Sequence, residues 1–151
     1  MARWMVALMV WLAGLGQVVA EPRVALVIGN GAYAHVGALP NPAEDAQLIA
    51  DTLGGLGFDV TLVRDGGKTG MTAAVARFGA DLRAAGPEAT GLFFYAGHGV
   101  QSFQRNYLLP VDAELHNAAD LDLVAVDAES VLRQMASAHN RTNIFILDAS
   151  L

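Results

Sequence analysis

A parallel β-sheet covered by helices on both faces, a three-layer α/β fold, is what this sequence predicts. Three observations carry that prediction. Four short apolar runs rich in Val, Ile and Phe are bounded by turn residues; segments with helical spacing separate them; and each run is apolar on both faces, as a strand held between two helical layers must be.

The chain has 151 residues, 54% of them hydrophobic, with 9 Lys+Arg against 15 Asp+Glu. That length fits one globular domain, and the apolar content excludes a disordered chain. The formal net charge of -6 speaks against nucleic acid or anionic lipid as a partner. With no cysteine, neither a disulfide nor a thiolate zinc site can form.

Residues 1 to 20 stand apart from the fold. Arg3 precedes an uncharged run over residues 4 to 16, and Val18-Val19-Ala20 comes before Glu21-Pro22. This is the layout of a secretory signal peptide cut after a small residue. A retained anchor is the competing reading, although the run is shorter than the roughly 20 apolar residues that span a bilayer. An exported domain, periplasmic or secreted, over residues 21 to 151 is the expectation.

The first strand is expected over residues 24 to 28. The helix after it has Asn41 as N-cap, Pro42 at the first position and Glu44 at the third. Ala46, Ile49, Leu53 and Leu56 give it one apolar face, and Gly54, Gly55 and Gly57 mark its exit. A second strand over residues 58 to 63 leads to a second helix, in which Met71, Val75, Phe78 and Leu82 are spaced four, three and four apart before Gly86-Pro87 stops it. The third strand covers residues 92 to 95. A third helix, entered at Asp127 with Val131, Met135 and Ala138 on one side, leads into the fourth strand over residues 143 to 147. There is no internal repeat and no linker.

In open parallel sheets, catalytic groups gather beyond the carboxyl ends of the strands. Those ends here are Gly29-Asn30-Gly31, Ala96-Gly97-His98-Gly99 and Asp148-Ala149-Ser150. Gly29-x-Gly31, with Ala34 at the third place, meets only the looser dinucleotide fingerprint, and no helix starts directly after it. His98 lies between two glycines at a strand mouth, a placement that suits a general base. His35, His116 and His139 lie in polar, loop-like surroundings and are read as solvated.

Together these residues amount to a resemblance. The stretch from Arg23 to Asn30, then Tyr33, Leu39-Pro40-Asn41-Pro42 with Asp45-Ala46, and Leu56-Gly57-Phe58-Asp59-Val60 resemble the opening of the bacterial caspase-like peptidases. Tyr95-Ala96-Gly97-His98-Gly99-Val100-Gln101, Asn106-Tyr107-Leu108-Leu109-Pro110-Val111-Asp112 and Ile144-Phe145-Ile146-Leu147-Asp148-Ala149 continue it. The likeness is to the caspase, metacaspase and paracaspase group of cysteine endopeptidases, and it covers the large-subunit half of that domain. It implies His98 as the catalytic histidine, the Gly99 N–H as part of an oxyanion hole, and Asp45 and Asp148 as acidic residues of a pocket for an Arg or Lys side chain. Each aspartate also has a plain reading. Asp148 can bind its own loop, and Asp45 can stabilise the helix dipole.

The likeness breaks at the nucleophile, where Ser150 stands in place of cysteine. Hydroxyl is the poorer nucleophile at neutral pH, so activity is expected to be strongly reduced or absent. The domain is also expected to be incomplete, lacking the small-subunit half, with a complementing chain or a continuation as partner and a basic peptide as substrate. The group implies no organic cofactor. Calcium dependence in metacaspases draws attention to Asp112, Glu114, Asp120 and Asp122, whose spacing is not that of an EF-hand and which read as a solvated acidic loop. A pseudopeptidase binding basic peptides and a purely structural interaction module are the other function classes.

Overall fold

A computed structural model describes residue 16 and residues 19–150. The signal-like segment lies almost wholly outside the described residues, as does Leu151. Among the described residues no helix is long and apolar enough to cross a membrane.

The order of elements is β1 (Arg23–Gly29), α1 (Pro42–Gly55), β2 (Asp59–Arg64), α2 (Lys68–Ala85), β3 (Thr90–Ser102), β4 (Arg105–Leu108), a 3-10 turn (Ala118–Asp120), α3 (Leu121–Val124), β5 (Val126–Asp127), α4 (Ala128–Ala136) and β6 (Thr142–Ser150). β1 pairs in parallel with β2 and β3, and β3 pairs in parallel with β6. The far end of β3 turns to an antiparallel partner, β4, which in turn pairs with β5. The three-layer α/β expectation holds.

Alternation along the central strands makes the two cores. Val24, Leu26 and Ile28 of β1, with Phe93 and Tyr95 of β3, point to the side covered by α2 and α4 and meet Met71, Phe78, Leu82, Val131 and Met135. Ala25, Val27, Leu92 and Phe94 point the other way, onto Ala46, Ala50 and Leu53 of α1. The four apolar positions read from the second helix are all buried.

β6 is half-covered. Phe145 stacks on Phe93 at 5.1 Å on the α2 and α4 side, whereas Ile144 and Ile146 face the side of α1, which does not reach them, and remain exposed. Buried on both faces holds for β1 and the first part of β3, but not for β2, an edge strand whose residues are all exposed or half-buried, nor for β6.

Other sequence expectations need correction. Asn41 precedes α1, but its side chain makes no capping bond, because its backbone is already helical (φ -109, ψ -21) and only its carbonyl engages the helix. Leu56 is exposed, since the helix ends at Gly55, and Ala50 fills the inward face instead. The third strand does not end at the His98 glycines, and the fourth continues to Ser150. The short β4 and β5 and the 118–124 helical turns carry no long periodic pattern and were not expected.

Candidate active site

His98 stands where β3 exchanges one neighbour for another. Up to His98 the strand pairs with β6, and from Gly99 onward it pairs with β4. The last rungs of the β3–β6 ladder set Ala96 opposite Asp148 and His98 opposite Ser150. Because side chains alternate, Ile144, Ile146, Asp148 and Ser150 share the face of β6 that looks toward α1. The N-terminal end of α1 is brought against the end of β1 by Gly29, at which any Cβ would collide with the Pro42 carbonyl and the Ala46 side chain.

That approach closes a cleft of about 180 Å³ whose lining includes Pro40, Pro42, Asp45, Gly97, Asp148 and Ser150. Two carboxylates from different elements therefore line one small space beside the His98–Ser150 rung. Both are exposed, and neither has a hydrogen-bond or ion-pair partner among the described residues. The reading in which Asp148 serves its own loop thus finds no bond to support it.

The imidazole is oriented from its far side. His98 Nε2 lies 2.6 Å from the Gly37 carbonyl oxygen, which can only accept, so the neutral ring carries its proton on Nε2 and keeps the Nδ1 lone pair free. The Tyr33 ring packs against it with centroids 4.7 Å apart at 53°. Tyr33 and Gly37 belong to the segment between β1 and α1, which also supplies Leu39 and Pro40 to the cleft. The sequence singled out neither Gly37, which acts through a backbone atom, nor any orienting partner for His98.

Gly99 is buried and lines a different cavity of about 200 Å³, together with Leu147, Ala149 and Tyr107. It is adjacent to His98 but is not part of the acidic cleft.

Asn30 is fully buried and ties three loops at this end of the sheet. Its Oδ1 accepts the Gly66 N–H at 2.9 Å, and its Nδ2 donates to the Leu109 carbonyl at 3.1 Å. Asp65 completes the tie by accepting the Gly31 and Ala32 amides, each at 2.9 Å. The Gly29-Asn30-Gly31 turn is thus occupied by the protein's own loops, and α1 starts only at Pro42.

The acidic residues after β4 are separately engaged. Asp112 accepts the Lys68 N–H, Asp120 caps the 3-10 turn, Asp122 accepts the Tyr107 hydroxyl, and Glu114 pairs with His116. Among the described residues no three such groups converge on a point where an ion could be held, so they do not fit a calcium site.

A family model described as the caspase domain, Peptidase_C14, matches residues 22–151. The chain is 32% identical over 133 residues to the mouse mucosa-associated lymphoid tissue lymphoma translocation protein 1 homolog, covering 88% of this chain and 15% of that protein. It is 31% identical over 132 residues to the human protein of that name, covering 87% of this chain and again 15% of the relative. The chain thus spans about a seventh of the length of these two mammalian relatives.

Proposed function

Since the chain belongs to the caspase-domain family of peptidases, we propose that its cleft receives the Arg or Lys side chain of a peptide, with Asp45 and Asp148 as the cation's partners and the scissile bond laid over Ser150 and His98. The observation that supports this most is the pair of carboxylates, drawn from α1 and β6, which share one cleft with Ser150 and have no protein partner among the described residues. Two such groups suit a guanidinium or ammonium and repel an acidic side chain.

The chemistry follows the roles of the residues. A nucleophile at position 150 gives its proton to His98 Nδ1 and bonds to the carbonyl carbon, whose oxygen becomes negative and is met by the Gly99 N–H. Collapse of that intermediate breaks the C–N bond as His98 returns the proton to the leaving amine, and water then releases the acyl group. With Ser150 the first transfer starts from a hydroxyl, and a backbone carbonyl rather than a carboxylate steadies the histidine. We therefore read this domain as an impaired endopeptidase that retains recognition of basic peptides.

Two further parts of this reading rest on other residues. Arg3 and the apolar run before Ala20 support export of the domain. The exposed Ile144 and Ile146 on β6, which pairs only with β3 among the described residues, support a complementing segment along that strand.

The test is fluorescence anisotropy with labelled peptides that differ only at the residue meant for the cleft. Arg and Lys peptides should bind at least about tenfold more tightly than the norleucine peptide, and the Asp peptide more weakly still. Equal binding of all four would overturn the proposal.

A further inference from the structure

We propose that Tyr33 and Tyr95 are positioning residues for His98, holding the histidine's own peptide so that its imidazole stays on the Gly37 carbonyl. This rests on reading His98 as the site's working base. The two phenols, 3.2 Å apart, both address the His98 main chain. His98 N–H donates to Tyr33 Oη at 2.8 Å, and the His98 carbonyl accepts from Tyr95 Oη at 2.6 Å and from the Leu109 N–H at 3.0 Å.

The need for them arises from the fork in the sheet. A strand residue normally gives its N–H and C=O to its neighbours' backbones, and a buried backbone group left without a partner is costly. The β1 ladder ends at Ala96 and the β4 ladder begins at Gly99, and the phenols serve the His98 peptide that falls between. Each phenol has one proton to give. Tyr95 spends its proton on the His98 carbonyl, while Tyr33 accepts from His98 and turns its own toward the Leu109 carbonyl or Tyr95 Oη, each 3.2 Å away. Burial pushes both hydroxyls above the ordinary tyrosine range, so both remain protonated.

Gly97 shows that the backbone is shaped around this pair. A Cβ there would lie 2.6 Å from both hydroxyl oxygens, and its φ of +155 is one that side-chain-bearing residues rarely adopt. Tyr33 also reaches the ring itself, so one residue fixes the histidine's amide and covers its imidazole. Packing alone would be served by phenylalanine; the hydroxyls specify where the His98 peptide lies.

The experiment uses the full chain, labelled with ¹⁵N, and compares Tyr33→Phe and Tyr95→Phe with Leu82→Ala. The last opens the core beside Gly91, at the other end of β3. With the imidazole neutral, long-range ¹H–¹⁵N spectra of the wild type should show the His98 Nε2–H form alone. In both phenylalanine variants the Nδ1–H form should appear, and His98 amide exchange should quicken about tenfold more than that of Phe93. Leu82→Ala should speed exchange generally and leave the tautomer unchanged. Wild-type spectra for His98 in Tyr33→Phe, or an equal change in Leu82→Ala, would overturn the proposal. If Tyr95→Phe does not fold, Tyr33→Phe decides. Peptide titration reports separately on the proposed function, so a failure of positioning and a failure of that reading are told apart.

Discussion

His98 and Ser150 are opposite rungs of the β3–β6 ladder. Strands so paired lie about 4.8 Å apart, within reach of a proton exchange between an imidazole and a group on its neighbour. Ser150→Cys should therefore create a thiol activated by His98. Its alkylation by iodoacetamide near neutral pH is expected to run about tenfold faster than in Ser150→Cys combined with His98→Ala. With a complementing segment supplied, the single variant should also cleave after Arg or Lys, and the double variant should not. Equal alkylation rates would separate the two residues functionally.

Asp45→Asn and Asp148→Asn should each weaken binding of an Arg peptide while leaving the norleucine peptide nearly unaffected. A charge-assisted hydrogen bond contributes about 1.5–3 kcal/mol, so the Arg preference should fall about tenfold or more. Anisotropy titrations at low and high salt measure it, and added salt should narrow the gap between wild type and variants.

Asn30→Ala should be among the most damaging substitutions at this end of the sheet. It strips the buried Gly66 N–H of its side-chain partner and removes one donor from the Leu109 carbonyl, which keeps the Tyr33 hydroxyl within reach. At about 1–3 kcal/mol for a buried group left unsatisfied, a loss of about 1–3 kcal/mol is expected from urea unfolding.

Alkaline pH should destabilise the domain through its buried phenols. Burial raises the folded pKa of Tyr95 above the unfolded value near 10, and that of Tyr33 likewise. The unfolded chain gives up these protons first, so the stability they contribute is complete below about pH 10 and declines as pH rises beyond it, by about 1.4 kcal/mol per pH unit for each group. Unfolding measured at pH 9 and pH 11 should show a smaller loss in Tyr95→Phe than in the wild type.

The central strands and α2 are legible in the sequence because burial on two sides leaves a dense apolar run, and Met71, Val75, Phe78 and Leu82 repeat at helical spacing. His98, Asp45, Asp148 and Ser150 are legible as motif residues, and the fold gathers Asp45, Asp148 and Ser150 into one cleft beside His98. What holds His98 is not legible, because the Gly37 carbonyl is a backbone atom, and Tyr33 meets Tyr95, 62 positions along the chain, only once the chain between them has folded. The continuation of β3 through Gly97 and Gly99 is hidden for a related reason. Glycines read as punctuation, and only pairing with β6 up to His98 and with β4 from Gly99 makes that stretch a strand. Asn41 misleads because a good capping residue type is no guarantee of the extended backbone that capping needs.

The fork in β3 also bears on how such a domain changes over evolutionary time. The spacing between His98 and residue 150 is written in a backbone ladder, which is blind to whether sulfur or oxygen sits at position 150. A lineage could lose its reaction at that single atom while every constraint on the surrounding framework persisted, leaving descendants under selection for capture rather than cutting. The same framework would make the loss cheap to reverse.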